Sequence, residues 1–224
     1  MLWRHGRTQW NAEQRFQGHS DVPLDEVGLA QAKAAAPLLA AMNPSKIISS
    51  DLMRSKDSAN ELALLTGITP IEEPGVRETS GGAWEGLNRA ELQASFGDDL
   101  KAWAAGSNLV PGGTGERRTD VAARVTAAIE NHLVDVPDSG TLIVATHGGS
   151  ARAALCAMLE LDPASWGVFG VLGNCSWSVL LEGGSPGGSL TQVVAEPSEK
   201  YPDIPPTPKW RLESYNESVA DFIR

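Results

Sequence analysis

Cysteine is scarce in this sequence. The 224 residues include two cysteines, Cys156 and Cys175, and neither belongs to a CxxC pair. A chain of this length builds a hydrophobic core without disulfide bonds, and isolated thiols are typical of reducing compartments. We therefore expect a disulfide-free protein of the cytoplasm.

Long apolar runs are missing as well. No stretch approaches the roughly 20 residues of a membrane-spanning helix. The chain also enters a polar motif at Arg4, so its beginning does not resemble a signal peptide. We expect no membrane-embedded segment.

Basic residues are in deficit. Lysine and arginine number 18 against 28 acidic residues, which gives a formal net charge of −10. This balance argues against a nucleic-acid or acidic-membrane partner, which would favour a basic surface. A small anionic ligand remains compatible, because a few arginines can form a local positive pocket.

Histidines are few and scattered. The sequence has four, without the close cysteine or carboxylate partners that a metal site needs. We expect no metal and no cofactor, and we place His19 and His132 at the surface or in loops.

Strand and helix patterns alternate along most of the chain. Strands are predicted at residues 1–3, 46–49, 69–72 and 142–145, the last in a continuously apolar run typical of a sheet covered on both faces. Near the end, strands at 176–183, 189–196 and 210–216 read as antiparallel, with a proline-rich loop at 197–208. The pattern predicts an α/β three-layer sandwich, with a mostly parallel central sheet flanked by helices and antiparallel C-terminal edge strands. We predict a single domain, 1–224, with residues 80–118 as a small helical cap.

Local signals mark the predicted helix ends. Asp25 is a plausible N-cap of the first long helix, and Pro37 should kink or restart that helix. Ser50 or Asp51 is expected to cap the next one.

Unusual polar residues follow the predicted strands. Arg4 and His5 follow the first strand, Arg54 lies one turn into the helix after the second, Glu78 follows the third, and His147 follows the 142–145 strand. Ligand sites form beyond the carboxyl ends of parallel strands, so these side chains should converge at one edge of the sheet.

This set suits phosphoryl transfer. Two arginines match phosphate oxygens, and the helix after Gly148 offers free N–H groups to an anion at its N-terminus. Neutral His5 can attack phosphorus to give phosphohistidine, and Asn11 can donate a further bond. His147, if protonated, can stabilise the transferring group, and a carboxylate can protonate the leaving oxygen. Positive side chains replace the neutralisation that a metal would otherwise supply.

The motifs carry a family resemblance. "RHGRTQWN", "SSDLMRS", "VRETSGGAWEG" and "ATHGG" resemble, in order, the motifs of the histidine phosphatase (phosphoglycerate mutase-like) superfamily. The resemblance implies that His5 is the phosphorylated nucleophile, that Arg4, Arg54 and His147 form the phosphate pocket with Asn11, and that Glu78 is the proton donor. It also implies substrate contacts from Gln17 and Gly18. Gly148 is a further expected contact, because a glycine lets the backbone approach an anion closely.

The C-terminal third narrows the resemblance. "GNCSWSVL" and "WRLESYNES" are similar to bacterial glucosyl-3-phosphoglycerate phosphatases, which implies a small phosphorylated metabolite as substrate and no metal. The alternatives are a broad-specificity metabolite phosphatase, a 2,3-bisphosphoglycerate-dependent phosphoglycerate mutase, and a non-catalytic phospho-ligand module. The edge strands also allow a homodimer.

Each residue has a structural alternative. His5 could be an inert core histidine and Arg54 a solvated helix residue. By composition the acid could equally be another nearby glutamate, Glu72, Glu73 or Glu85. Trp3 is expected in the core, Trp84 and Trp103 either in the core or beside a sugar, and Arg117 and Arg118 in solvent.

Overall fold

A six-stranded sheet forms the centre of the molecule. The computed structural model describes residues 1–183 and 209–222. The strands, in sheet order β3-β2-β4-β1-β5-β6, are β1 (Leu2–Arg4), β2 (Pro44–Ser49), β3 (Ile71–Glu72), β4 (Thr141–Thr146), β5 (Trp177–Glu182) and β6 (Trp210–Glu217). The first four strands pair in parallel, and β5 and β6 are antiparallel.

Helices cover both faces of the sheet. They are α1 (Gln9–Ala12), α2 (Glu26–Ala40), α3 (Met53–Thr66), α4 (Arg89–Ala104), α5 (Arg118–Leu133) and α6 (Gly148–Met158). Helices α2 and α3 pack together, and so do α5 and α6. The predicted α/β fold, with its mostly parallel sheet and antiparallel C-terminal strands, is confirmed.

The described residues form two hydrophobic clusters, one on each face of the sheet, and the alternation of side chains along the strands explains them. Trp3, Ile47 and Ile143 point to the cluster that contains the alanines of α2. Their strand neighbours, Leu2, Ile48 and Val144, point to the cluster formed with α5 and α6. Because successive strand side chains face opposite sides, a continuously apolar run indicates a sheet buried on both faces.

An expected helix restart and an expected N-cap were wrong. Helix α2 begins after its predicted N-cap, Asp25, but continues through Pro37 without restarting. Pro37 is exposed, and buried residues on both sides of it, Ala36 and Leu39, hold the helix against the core. Helix α3 has Leu52 as its N-cap residue, because Asp51 is bound to Arg77 instead.

Residues 80–118, all of which the structure describes, lie between β3 and α5 and contain α4. This segment has its own aromatic cluster around Trp84, which is fully buried. The ring centroids of Phe16, Trp103 and Phe96 lie 5.8, 5.9 and 6.2 Å from that of Trp84. Trp84 is therefore a packing residue, as is Trp3 in the main core.

Some predictions fall outside the described residues. The strand at 189–196 and the proline-rich loop at 197–208 are among them. Within 1–183 and 209–222, none of the helices is both long and apolar enough to cross a membrane.

Candidate active site

The predicted residues meet at the carboxyl ends of the parallel strands, around one cavity of about 220 Å³. Its lining includes most of the predicted site residues: Arg4, His5, Asn11, Gln17, Gly18, Arg54 and Glu78. His147 lies directly behind this wall, with its ring centroid 5.1 Å from that of His5. Convergence on one sheet edge is what the strand order predicted.

His5 is held in one tautomer. It follows β1, is 2% exposed, and its Nδ1 lies 2.6 Å from the Gly6 carbonyl oxygen. A carbonyl only accepts, so Nδ1 carries the proton and Nε2 keeps its lone pair. Burial, with Arg54 and Arg4 nearby, lowers the pKa of His5 well below its usual value. The ring is therefore neutral and presents a nucleophilic nitrogen.

His147 has the opposite tautomer. It follows β4, and Arg54 Nε donates to its Nδ1 over 3.2 Å. Since arginine can only donate, the ring proton lies on Nε2. That Nε2 is buried and lacks a hydrogen-bond partner among the described residues. Burial and the nearby cations also lower the pKa of His147, so the donor here is a neutral imidazole, and the conditional role of a protonated His147 does not apply.

Arg54 fixes the loop beside the cavity. Fully buried, it donates from Nη1 to the Ser20 carbonyl and from Nη2 to the Gly18 carbonyl, both over 2.8 Å. Burial lowers its pKa to about 10, so it remains a cation at neutral pH. The solvated alternative for Arg54 is wrong.

Arg4 has a hydrogen-bond donor that no described residue uses. Its Nη1 donates to the Leu172 carbonyl over 2.5 Å, whereas its Nε is buried and lacks a partner in the described part of the chain. Gly148 packs against this guanidinium: a Cβ there would lie 3.4 Å from Arg4 Cζ and 2.4 Å from Val171 Cγ1. A larger residue at 148 would therefore clash with Val171 on the cavity wall.

Glu78 is bound to the start of α6. Its carboxylate accepts hydrogen bonds from the backbone N–H groups of Gly149, at 3.1 Å, and Ser150, at 3.0 Å. Two helix N–H groups that we expected to be free for an anion are therefore occupied. Arg124 and His19 also contact the Glu78 carbonyl oxygen, at 3.2 and 2.8 Å.

The other candidate carboxylates have other partners. Glu72 pairs with Lys56, and Glu73 pairs with His132. Glu85 accepts hydrogen bonds from backbone N–H groups of the neighbouring loops. Of the four glutamates, Glu78 alone lines the cavity.

Two amides present their nitrogen atoms to the cavity. Asn11 Oδ1 is occupied by the Thr8 N–H at 3.0 Å and by Asn174 Nδ2 at 3.2 Å. Gln17 Oε1 lies 3.1 Å from Thr8 Oγ1. With the oxygens engaged, the NH₂ groups of Asn11 and Gln17 are the donors left for an anion.

Gly18 occupies a position that favours glycine. Its φ is +53°, and a Cβ there would lie 2.1 Å from Glu85 Oε1. Gly18 therefore lets the loop pass close to Glu85 while its carbonyl accepts from Arg54.

Sequence reasoning missed several residues. Arg15 and Arg152 line the cavity, and Asn174 binds both Asn11 and the His5 carbonyl. Arg152 lies one helical turn into α6, the helix that follows β4. A position one turn into a helix after a strand was also the sequence signal that led to Arg54. Asn174 lies in a remote loop, for which the sequence offers no comparable signal.

Two surface expectations also need correction. Arg118 is half-buried, with its guanidinium 3.9 Å from the Trp103 ring centroid. His132 lies on α5, and its Nε2 lies 3.0 Å from Glu73 Oε2. Trp103 lines the cavity, while Arg117 is exposed as expected.

The described residues contain neither a disulfide bond nor a cluster suited to a metal ion. Cys156 and Cys175 are free and buried. No cluster of three or more histidine, cysteine, aspartate or glutamate side chains suited to a metal ion occurs in the described ranges.

This site and fold define a family. The chain belongs to the histidine phosphatase superfamily (branch 1), whose family model matches residues 1–192. The resemblance predicted from the motifs is thereby confirmed.

Comparison with individual relatives supports this family membership. Glucosyl-3-phosphoglycerate phosphatase from Mycobacterium tuberculosis is 33% identical over 226 aligned residues, covering 98% of this chain and 94% of the relative. The structure of a mycobacterial glucosyl-3-phosphoglycerate phosphatase complexed with VO3 has a TM-score of 0.82 at 33% identity and covers 97% of this chain and 98% of that one. A 2,3-bisphosphoglycerate-dependent phosphoglycerate mutase from Gloeobacter violaceus is 33% identical over 168 residues, covering 73% of this chain and 76% of the relative.

Proposed function

We propose that this protein is a phosphatase that hydrolyses a small phosphomonoester through a phosphohistidine at His5, without a metal. The observation that carries the proposal is the pairing of tautomers: the lone pair of His5 Nε2 and the N–H of His147 Nε2 belong to adjacent rings, of which His5 lines the cavity and His147 lies directly behind its wall. A nucleophile beside unpartnered donors is the arrangement that phosphoryl transfer requires.

The first step transfers the phosphoryl group. Substrate phosphate binds to Arg4 Nε, His147 Nε2–H and the amide of Asn11, and Arg54 adds positive charge. His5 Nε2 attacks phosphorus, the ester P–O bond breaks, and protonated Glu78 donates its proton to the leaving oxygen.

The second step restores the enzyme. Water attacks the phosphohistidine and gives a proton to Glu78, the N–P bond breaks, and inorganic phosphate leaves. Positive charge from the arginines and the His147 N–H stabilise both transfers. This cycle also returns Glu78 to its protonated form.

The best substrate proposal is glucosyl-3-phosphoglycerate. It is supported by the named activity of the relatives that match nearly the whole chain. Trp103, on the cavity wall, offers an aromatic face suited to a sugar. We also propose that the chain is a single domain, in which residues 80–118 form a cap over this wall of the cavity.

The alternative in which a second substrate accepts the phosphoryl group is a mutase. The phosphoglycerate mutase relative favours testing it. A broad-specificity phosphatase is the third outcome.

The test is phosphate release from glucosyl-3-phosphoglycerate, 3-phosphoglycerate, phosphoserine and p-nitrophenyl phosphate, with and without EDTA. We expect preference for the glucosylated acid and no loss in EDTA. Formation of 2-phosphoglycerate with little free phosphate would establish a mutase, whereas similar slow rates would indicate broad specificity. Loss of activity in EDTA that added metal restores would refute metal independence.

His5→Ala tests the intermediate. It should abolish turnover while binding of the phosphate ester survives, because the arginines remain. His132→Ala is the control, since His132 contacts Glu73 rather than the cavity. An active His5→Ala enzyme would exclude the mechanism.

We also propose a cytoplasmic location and a homodimer. Buried free thiols support a reducing compartment. Strand β6 lies at an edge of the described sheet, where a second copy could pair. Cell fractionation and light scattering test these two proposals, and a membrane-associated or monomeric protein would contradict them.

A further inference from the structure

One arginine of the cavity has neither a hydrogen bond nor an ion pair in the described part of the chain. Of the four arginines that line the cavity, Arg4 and Arg54 surround the two histidines. Arg15 pairs with Glu13 and Glu91, at 2.6 and 3.1 Å. Arg152 lines the same cavity but has neither a hydrogen bond nor an ion pair among residues 1–183 and 209–222.

A second cation lies near Arg152. Arg118 stacks on Trp103, which lines the cavity, and its Nη2 donates to the Trp103 carbonyl over 2.6 Å. Its Nε is buried and unpartnered within the described ranges. Burial, followed by the charge of Arg152, lowers the pKa of Arg118 to about 10, so both residues are cations at neutral pH.

Two neighbouring cations, of which Arg152 lines the cavity and Arg118 lies against Trp103, favour an anion beside Arg152. The chain has an excess of acidic residues, yet none of them neutralises Arg152 in the described structure. The phosphate pocket already has its own donors on Arg4 and His147. The second positive region therefore suits a separate anionic group on the same ligand.

We propose that Arg152, supported by Arg118, binds the carboxylate of the organic half of the substrate. The inference rests on the proposed phosphatase function and specifies its ligand as a phosphomonoester that also carries a carboxylate. The planar guanidinium fork of Arg152 matches a carboxylate through two parallel hydrogen bonds. Arg118 is held against Trp103 and adds charge from behind.

Two matched ligands isolate the carboxylate. 3-Phosphoglycerate and glycerol 3-phosphate share the phosphate ester and differ in a carboxylate against a CH₂OH group. Binding is measured calorimetrically on His5→Ala protein, so the result does not depend on turnover. We expect 3-phosphoglycerate to bind at least tenfold more tightly, as one charge-assisted pair provides.

Arg152→Gln should remove most of that preference and leave glycerol 3-phosphate binding unchanged. Arg152→Lys should restore part of it, and Arg118→Gln should reduce it less than Arg152→Gln does. Arg117→Gln is the matched control, because Arg117 is the exposed neighbour of Arg118 and carries the same charge. In the active enzyme, Arg152→Gln should raise KM for 3-phosphoglycerate, whereas the Arg117→Gln control should leave it unchanged.

Equal binding of the two ligands, or an unchanged preference in Arg152→Gln, would overturn the carboxylate site. Absence of any phosphatase activity in the wild-type protein would instead overturn the proposed function, since the binding comparison needs no catalysis.

Discussion

Replacing Arg54 by lysine keeps a positive charge in the pocket but removes the planar fork. Arginine at this position donates to Gly18, Ser20 and His147 at once. One lysine ammonium can reach at most one of these acceptors from the same stem. Two acceptors are then left unsatisfied, at about 1–3 kcal/mol each, so the free energy of unfolding should fall by about 2–6 kcal/mol.

The same change releases His147. Without the Arg54 Nε–H, nothing in the described structure fixes the proton of His147 on Nε2. Loss of one preorganised donor costs on the order of 10²–10³ in kcat. We therefore expect Arg54→Lys to lower kcat by this amount even at temperatures where the variant is fully folded.

Urea unfolding and steady-state kinetics with p-nitrophenyl phosphate measure the two effects separately. Arg117→Lys is the control and should change the unfolding free energy by less than about 0.5 kcal/mol, because Arg117 is exposed. The role assigned to the guanidinium fork would be refuted by an Arg54→Lys variant whose unfolding free energy lies within 1 kcal/mol of the wild-type value and whose kcat lies within threefold of it. The limit of 1 kcal/mol is about the net contribution of one hydrogen bond.

Two further predictions concern pH and the Gly18 loop. His5 and His147 have lowered pKa values in the folded protein, so as pH falls below about 6.5 the unfolded chain binds more protons and the unfolding free energy should decrease. Urea unfolding at pH 7.5 and 5.5 should show this decrease, and a His5→Gln/His147→Gln double variant should show a smaller one; an equal decrease would contradict it. Gly18→Ala should destabilise more than Gly67→Ala and lower kcat/KM, because both glycines have positive φ but only at Gly18 would the new Cβ meet Glu85; equal losses in thermal unfolding would show that φ strain alone is responsible.

The sheet was predictable because burial on both faces leaves a clear hydrophobic signal. The apolar run of β4 and the pairs of Leu2 with Trp3 and Ile47 with Ile48 carry that signal directly. Helix boundaries were less predictable because they depend on tertiary contacts. Asp51 could have capped α3, but an arginine distant in sequence binds it instead.

The convergence of the proposed site residues was predictable for a different reason. These residues directly follow strands or begin helices, so the fold alone brings His5, Arg54 and His147 together. No such rule applies to the part of the cavity wall that contains Trp103. Arg118 was expected in solvent because a pair of arginines reveals nothing about the distant Trp103 ring on which it stacks.

The position of β1 has a consequence for how the enzyme comes into being. This strand of three residues lies between β4 and β5, whose residues are 141–146 and 177–182. His5, at its end, is therefore synthesised well before β4 and β5, the two strands that hold β1 in the sheet. Such non-local pairing slows folding. A nascent chain is expected to remain unable to bind phosphate until most of its length has been made.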